Sequence, residues 1–224
     1  MREEMARRHV ITSALLACAL TAAAGTSSAR AAGKSGSLAE AYRIISTKQF
    51  VDLTHSFSPT TPVWKGFGPA AFSVAADPET GQPYTIDKNG FRAFFYSIVG
   101  QYGTHVDPPA HFDPAGLTMD RIPVKQMILP LVVFDITPML KTDPNHALTV
   151  DDIRAWEGLH GRVRKGSFAA LRTDMYKDWE RNPARFKRAS FPAWSLDALK
   201  FLYEQRGIVA NGHESMATQT SPTI

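Results

Sequence analysis

The segment QYGTHVDPPAHF, residues 101–112, constrains the fold more than any other part of the sequence. It directly follows the apolar run 91–99, which predicts a strand that continues to Asp107 and is buried on both faces up to Val99. Side chains alternate along a strand, so one face is predicted to carry a polar set of residues: Gln101, Gly103, His105 and Asp107. The two prolines that follow end the strand, and a turn brings His111 back beside that face.

This polar face has the composition of a metal site. His105 and Asp107 are two residues apart, which places their side-chain roots about 7 Å from each other on a strand. Gln101 would lie about 13 Å away on a flat strand, so a bulge or bend near Gly100 or Gly103 is required to bring it in. An imidazole, a carboxylate and an amide oxygen form a mixed nitrogen and oxygen set that suits Zn²⁺ or Mn²⁺.

His111 is then a candidate catalytic residue. A metal with an open coordination position lowers the pKa of a bound water to about 7, and His111 would act on that water as general acid or base. The structural alternative is a buried histidine and aspartate that hydrogen-bond to the backbone. Spacing alone leaves both interpretations open. A serine hydrolase is disfavoured because the sequence has no Gly-x-Ser-x-Gly elbow.

Composition excludes other classes of protein. The formal net charge of +4 is modest, and the basic cluster 181–188 is predicted to be a solvated loop face, so we expect no nucleic-acid partner. Cys18 is the only cysteine, which excludes an intramolecular disulfide and a Cys-ligated zinc site.

Residues 1–31 are predicted to be a signal peptide. Arg7 and Arg8 precede the apolar run 10–25, and residues 29–31 offer a small-x-small cleavage site. The run is too short and alanine-rich for a stable membrane span. We therefore expect export to the periplasm or the medium by the general or the twin-arginine route. Lipoprotein anchoring at Cys18 is the minor alternative.

The remainder, residues 32–224, is predicted to form a single α/β domain. Apolar periodicity and capping signals predict a series of further elements. These are a helix opened by the capping box Ser37–Glu40, a strand at 50–55, a strand at 129–136, a helix from Thr149 to Glu157, a strand at 167–173, a helix from Ser195 to Gln205 ended by Gly207, and a strand that starts at 208–210. Repeats and glycine-rich phosphate loops are absent from the sequence.

Two long polar loops, 58–69 and 77–90, separate the first elements, and loops of this length are often functional. Trp64 and Phe67 would wall a pocket for a flat substrate, and Phe95 adds to this aromatic character. The alternative for these residues is core packing, which is the commoner use of aromatic side chains.

The pattern Gly103-Thr104-His105-x-Asp107-x-Pro109-x-His111-Phe112 resembles the signature of the metal-dependent cyclase family of hydrolases, which includes the kynurenine formamidase and isatin hydrolase types. Weaker similarity flanks it on both sides and extends the resemblance over roughly residues 50–215. The flanking segments are VDLTH at 51–55, PVW at 62–64, LRT at 171–173 and GHE at 212–214.

The resemblance implies a fold and an activity. His105 and Asp107 would be metal ligands and His111 the catalytic acid or base in the hydrolysis of a C–N bond of a formamide or cyclic amide. The substrate would be a small aromatic amide, as in arylformamidase reactions of tryptophan catabolism. The fold would be a swivelling β/β/α domain with a curved mixed sheet and flanking helices, in a homo-oligomer.

Two departures from the family pattern lead to an alternative function. Gln101 stands where kynurenine formamidases usually have histidine, which would shift metal preference from Zn²⁺ toward Mn²⁺. Family chains continue beyond the GHE region with further ligands, whereas this sequence ends at Ile224 and offers only His213 and Glu214 there. The alternative is a catalytically impaired, shortened member that binds a small molecule or a partner subunit.

Overall fold

The computed structural model of the chain describes residues 36–64, 66–188 and 190–216. The predicted signal peptide, residues 1–31, lies outside the described residues. The chain divides into two compact units, one that ends at Asp52 and one that begins at Leu53. The first unit contributes helix α1 (Leu38–Ser46), where the Ser37 side chain accepts a hydrogen bond from the Glu40 amide. This confirms the predicted helix and its N-cap.

All strands of the described part belong to the second unit. In chain order, its regular elements are β1 (Ala71–Val74), α2 (Ile86–Asn89), β2 (Phe94–Ser97), β3 (Leu131–Asp135), β4 (Ala147–Leu148), α3 (Val150–His160), β5 (Phe168–Arg172), β6 (Ala193–Trp194), α4 (Leu196–Lys200) with a π-helical continuation Phe201–Arg206, and β7 (Ala210–Gly212). The strands form an antiparallel β1–β2 pair, a parallel β4–β6 pair and a parallel sheet in the order β3–β5–β7.

The hydrophobic core lies around the β3–β5–β7 sheet. Phe134 of β3 and Leu171 of β5 are 1% and 2% exposed, and Trp194 and Leu202 are fully buried. Ile153 of α3 packs into the same cluster. Helices α3 and α4 contribute Ile153 and Ala198 to this core. One face of the edge strand β3 stays accessible to solvent, with Leu131 at 57% and Val133 at 40% exposure.

The helices of this unit begin where their caps predict. Thr149 and Asp152 form a reciprocal capping box at the start of α3. Ser195 accepts a hydrogen bond from the Ala198 amide at the start of α4. Gly207, at φ +66°, closes the π-helical continuation in the left-handed conformation. The predicted helices are therefore confirmed, although α3 continues past Gly158 to His160.

Three predictions about the strands are wrong. The structure has three small sheets in its described part where one curved sheet was expected. The strand predicted at 91–107 is restricted to β2, because the chain turns at Tyr102, whose amide donates to the Val99 carbonyl. No strand forms at 50–55 either, and the His55 amide donates to the side chain of Thr104 and not to a neighbouring strand.

The predicted burial of the run 91–99 is also wrong. Phe94, Phe95 and Tyr96 are each at least half exposed. The reason is that β2 pairs only with β1, and the resulting two-stranded ribbon leaves side chains on both faces accessible to solvent. Among the described helices, none has the length and apolar character needed to cross a membrane.

Candidate active site

The motif segment is held in an irregular conformation by three anchors. Tyr102 is 5% exposed and its hydroxyl donates to the Ser58 carbonyl at 2.7 Å. Thr104 accepts a hydrogen bond from the His55 amide at 3.0 Å. Gly103 has φ +74°, a left-handed conformation that glycine adopts without strain. The bend expected near Gly100 or Gly103 is therefore confirmed at Gly103, whereas the alternating one-face arrangement is wrong.

A short 3₁₀ turn (Pro109–His111) returns the chain after the prolines. The turn is supported from behind by Gly116, where a Cβ atom would come within 2.6 Å of the Pro109 carbonyl carbon. The Ala110 amide donates to the Leu117 carbonyl at 3.1 Å and ties the same two segments together. This close approach places the His111 ring beside Asp107.

The four predicted site residues lie in one chain of contacts. Asp107 Oδ1 is 3.5 Å from His105 Nε2 and 4.0 Å from His111 Nε2. Gln101 Nε2 is 3.4 Å from His111 Nδ1. The side chains of His105, Asp107 and His111 are 31%, 37% and 29% exposed, so a molecule in solvent can reach them.

A fifth residue, His213, joins this group from the far end of β7. Burial lowers the pKa of His213, and so does the nearby His105 ring, while a hydrogen bond with Ser215 and the charge of Asp107 act in the opposite direction. The residue is nevertheless exposed to solvent. A lowered pKa favours the neutral ring, which has a lone pair available.

Two of the imidazoles are oriented as metal-binding histidines usually are. His105 Nδ1 donates to the Gly103 carbonyl at 2.8 Å, and His213 Nδ1 donates to the Ser215 carbonyl at 2.9 Å. Each bond leaves the Nε2 lone pair free, which is the usual arrangement of a ligating histidine. His105 and Asp107 therefore fit a divalent metal in donor chemistry. Within the described part of the chain, however, no three His, Cys, Asp or Glu side chains are grouped closely enough to hold one.

Glu214 is bonded differently from its neighbour His213. Its carboxylate accepts hydrogen bonds from the Thr173 amide at 3.0 Å, the Thr173 hydroxyl at 3.1 Å and the Tyr176 amide at 2.9 Å. Both oxygens are occupied by these donors. These hydrogen bonds give Glu214 a structural role, which makes it a poor candidate for a metal ligand.

A cavity of about 350 Å³ lies beside this region, at the carboxyl ends of β3 and β5. Thr137, Thr173 and Asp174 are among its lining residues, whereas the motif residues are not. We place the candidate site at the histidines and Asp107, because they carry groups that can bind metal or transfer protons, whereas Asp174 and Arg185 of the cavity lining are held in ion pairs.

Trp64 and Phe67 contact each other edge to face, with ring centroids 5.1 Å apart. Trp64 is 47% exposed, which argues against core packing for that residue. Its role in substrate binding and the role of Gln101 as a metal ligand stay predictions. Sequence reasoning missed Tyr102 and Thr104 as anchors, since neither carries ligating chemistry. It also undervalued His213, for which only its position after a strand was a signal.

Comparison with known proteins identifies the family of the chain. Residues 51–220 match the model of a family described as putative cyclase. The chain belongs to the putative cyclase family. Isatin hydrolase of Roseibium aggregatum is 29% identical over 180 residues, which span 76% of this chain and 68% of that protein.

Solved structures of isatin hydrolases have the same fold as this cyclase-family chain. Isatin hydrolase A from Ralstonia solanacearum has a TM-score of 0.68 at 25% identity, over 84% of this chain and 76% of that one. Isatin hydrolase A from Labrenzia aggregata, bound to benzyl benzoate, has a TM-score of 0.67 at 25% identity, over 80% and 74% of the two chains. An isatin hydrolase bound to the product analogue thioisatinate has a TM-score of 0.68 at 25% identity, over 82% of this chain and 75% of that one.

Proposed function

We propose that this cyclase-family chain is a metal-dependent amide hydrolase that opens a cyclic amide of the isatin type by hydrolysis of its C–N bond. The observation that carries the proposal is the contact of Asp107 with both His105 and His111, at 3.5 Å and 4.0 Å. The similarity to isatin hydrolases supports the reaction class and a small-molecule substrate.

His105 and Asp107 would hold the metal, with Gln101 as the predicted third donor. Zn²⁺ and Mn²⁺ both suit a set of one imidazole, one carboxylate and one amide oxygen. When bound, such an ion polarises a carbonyl and lowers the pKa of a coordinated water. The bond from His105 Nδ1 to the Gly103 carbonyl fixes the orientation of that ring before any ion arrives.

His111 would move the proton. Its Nε2 faces Asp107 at 4.0 Å, and its Nδ1 is in contact with the Gln101 amide at 3.4 Å. Contact through the Gln101 NH₂ group favours the His111 tautomer with its proton on Nε2, whereas a Gln101 amide turned to present its oxygen to Nδ1–H would leave the Nε2 lone pair open. In that second arrangement His111 would accept a proton from water at Nε2 and return it to the leaving nitrogen.

The substrate is proposed to be aromatic. The exposed Trp64 and its edge-to-face partner Phe67 form a surface on which a flat ring can stack. Isatin holds the scissile C–N bond inside a ring, whereas N-formylkynurenine holds it in an open formamide. We propose the cyclic amide because the similar proteins found are isatin hydrolases.

The test is a turnover assay on the purified chain with metal analysis. We expect bound Zn²⁺ or Mn²⁺ and hydrolysis of isatin that is lost after chelation and restored by one of these ions. His111→Ala should retain the metal and lose about 10²- to 10⁴-fold in kcat. His105→Ala should lose the metal, whereas His160→Ala, an exposed histidine at the end of α3, should change neither. A metal-loaded wild type that hydrolyses neither isatin nor N-formylkynurenine would overturn the proposal.

A second candidate is a binding protein of the same fold without catalysis. It is favoured by the lack, in the described residues, of a group of three ligating His, Cys, Asp or Glu side chains. A binding protein would hold isatin or its ring-opened product without turnover, and its affinity would be unchanged by chelation. Calorimetry with and without chelator separates the two candidates.

A further inference from the structure

Glu214 makes an unusual set of contacts for a residue next to the candidate site. Its Oε1 accepts from the Thr173 amide, and its Oε2 accepts from the Thr173 hydroxyl and the Tyr176 amide. The donors belong to the turn that follows β5, 38 to 41 residues earlier in the chain. One carboxylate therefore ties the chain after β7 to the chain after β5.

The turn that Glu214 binds is itself built to present these donors. Asp174 has φ +60° and ψ +14°, the only left-handed non-glycine residue in the described part of the chain. Its carboxylate is held by Arg172 Nε at 2.9 Å and Lys177 Nζ at 2.5 Å. The left-handed residue turns the chain so that the amides on either side of it point toward one acceptor.

We infer that Glu214 is the positioning residue that fixes the orientation of the His213 ring. His213 precedes Glu214 directly, so the three bonds to Glu214 fix the backbone from which His213 projects. The ring has two further contacts, both at Nδ1, with the Ser215 carbonyl at 2.9 Å and the Ser215 hydroxyl at 3.2 Å. These contacts hold the Nδ1 side of the ring and leave Nε2 unoccupied by them. This inference rests on the proposed function in so far as it assigns His213 a role in catalysis.

A carboxylate is required at this position because every group that faces it is a donor. Glutamine has the same shape, but its NH₂ end would meet an N–H or O–H donor of Thr173 or Tyr176. At least one donor would lose its acceptor, and the loop would have to shift to satisfy it. Replacing Glu214 with Gln therefore changes the bonding without removing bulk.

The test compares Glu214→Gln with Glu157→Gln. Glu157 is a matched control because it also bonds two partners, Arg206 and the Val163 amide, but holds α3 and not the site. We expect Glu214→Gln to lower kcat for isatin on the order of 10- to 100-fold, as for other outer partners of site residues, with a smaller change in KM. Glu157→Gln should lower the melting temperature and leave kcat within about twofold, the range of a change remote from the site.

A second readout is independent of activity. In ¹⁵N spectra of the histidine rings, assigned with His213→Gln, wild-type His213 should show a protonated Nδ1 and an unprotonated Nε2. Glu214→Gln should replace this with a mixture of tautomers, and Glu157→Gln should not. Thr173→Val removes one of the three bonds and should have an intermediate effect, which keeps the test valid if Glu214→Gln fails to fold.

The outcomes separate the inference from the proposed function. An inactive wild type with the expected tautomer change in Glu214→Gln would reject the hydrolase and support the positioning role. Full activity and an unchanged His213 spectrum in a folded Glu214→Gln would overturn the positioning role and leave the hydrolase intact. Equal losses of kcat in Glu214→Gln and Glu157→Gln would also overturn it, because they would indicate general destabilisation.

Discussion

Two regions of the second unit are stabilised by different kinds of interaction. In the parallel-sheet region, residues 131–216, aromatic and aliphatic side chains are buried, as in Phe134 at 1% exposure and Leu171 at 2%. In the motif region, residues 53–128, similar side chains remain in solvent, as in Phe95 at 59% and Phe112 at 70%. The motif region relies instead on single hydrogen bonds and on glycine conformation.

The difference explains where chemistry can be placed. A packed sheet fixes its residues by excluding water, which makes charged groups costly inside it. The motif region fixes Asp107 and His111 by a turn and leaves them partly exposed, so that they can meet a substrate. His213 follows the last strand of the sheet, and its pKa is affected by the charges of Asp107 and His105 in the motif.

The largest expected effect tests the burial contrast. Phe134→Ala should lower the free energy of unfolding by about 3–5 kcal/mol, because it removes a buried ring that packs on Trp156 and Trp194. Phe95→Ala, the same substitution at a 59% exposed residue, should change it by less than about 0.5 kcal/mol. Urea unfolding measures both. If Phe95→Ala lowers the free energy of unfolding about as much as Phe134→Ala does, the β1–β2 ribbon must be covered in solution.

The next effect concerns ion pairs. Arg206 binds Glu157 through Nε and Nη2, and the two side chains are only 11% and 12% exposed. Arg206→Ala should cost about 1–3 kcal/mol, since it leaves a nearly buried carboxylate without its partner. Arg154, whose partner Asp151 is 90% exposed, is the control, and Arg154→Ala should give no measurable change in unfolding free energy. Equal costs would contradict the claim that shielding from solvent sets the strength of these pairs.

Glycine-to-alanine substitutions should change the free energy of unfolding in opposite directions in the two regions. Gly116→Ala brings a Cβ within 2.6 Å of the Pro109 backbone, so it should cost about 1–3 kcal/mol and displace the turn that carries His111. Gly158→Ala, inside α3 with open space around the new methyl group, should stabilise the protein by about 0.5–1 kcal/mol. Thermal unfolding and the isatin assay together check the pair. Undiminished activity in Gly116→Ala would show that the turn adjusts without moving His111.

The same contrast determines what the sequence could predict. In the parallel-sheet region, apolar runs and caps at Thr149 and Ser195 predicted β3, β5, β7 and both helices within a few residues, because local pattern and burial agree there. The short strands β4 and β6 were not predicted. In the motif region, chemistry suggested candidate site residues, but local pattern did not predict their geometry. The turn at Tyr102 depends on its hydroxyl reaching Ser58, a contact across 44 residues that no local pattern encodes. The partnership of Glu214 with Thr173, 41 residues apart, is likewise non-local.

The smallest expected effect is a pH dependence that belongs to the sheet region. The hydrogen bond from Arg206 lowers the pKa of Glu157 below its ordinary value of 4.5, against the effect of burial. A carboxylate with a lowered folded-state pKa contributes stability above its unfolded pKa, and that contribution is lost as the pH falls through the folded value. We therefore expect the unfolding free energy of the wild type to fall below about pH 4.5, and to fall less steeply in Glu157→Gln. Glu204→Gln, at an exposed acid of the same π-helical segment, is the control and should keep the wild-type slope. If Glu157→Gln instead retains the full slope, the acid sensitivity comes from carboxylates elsewhere, and the Arg206 pair contributes to stability through packing more than through charge.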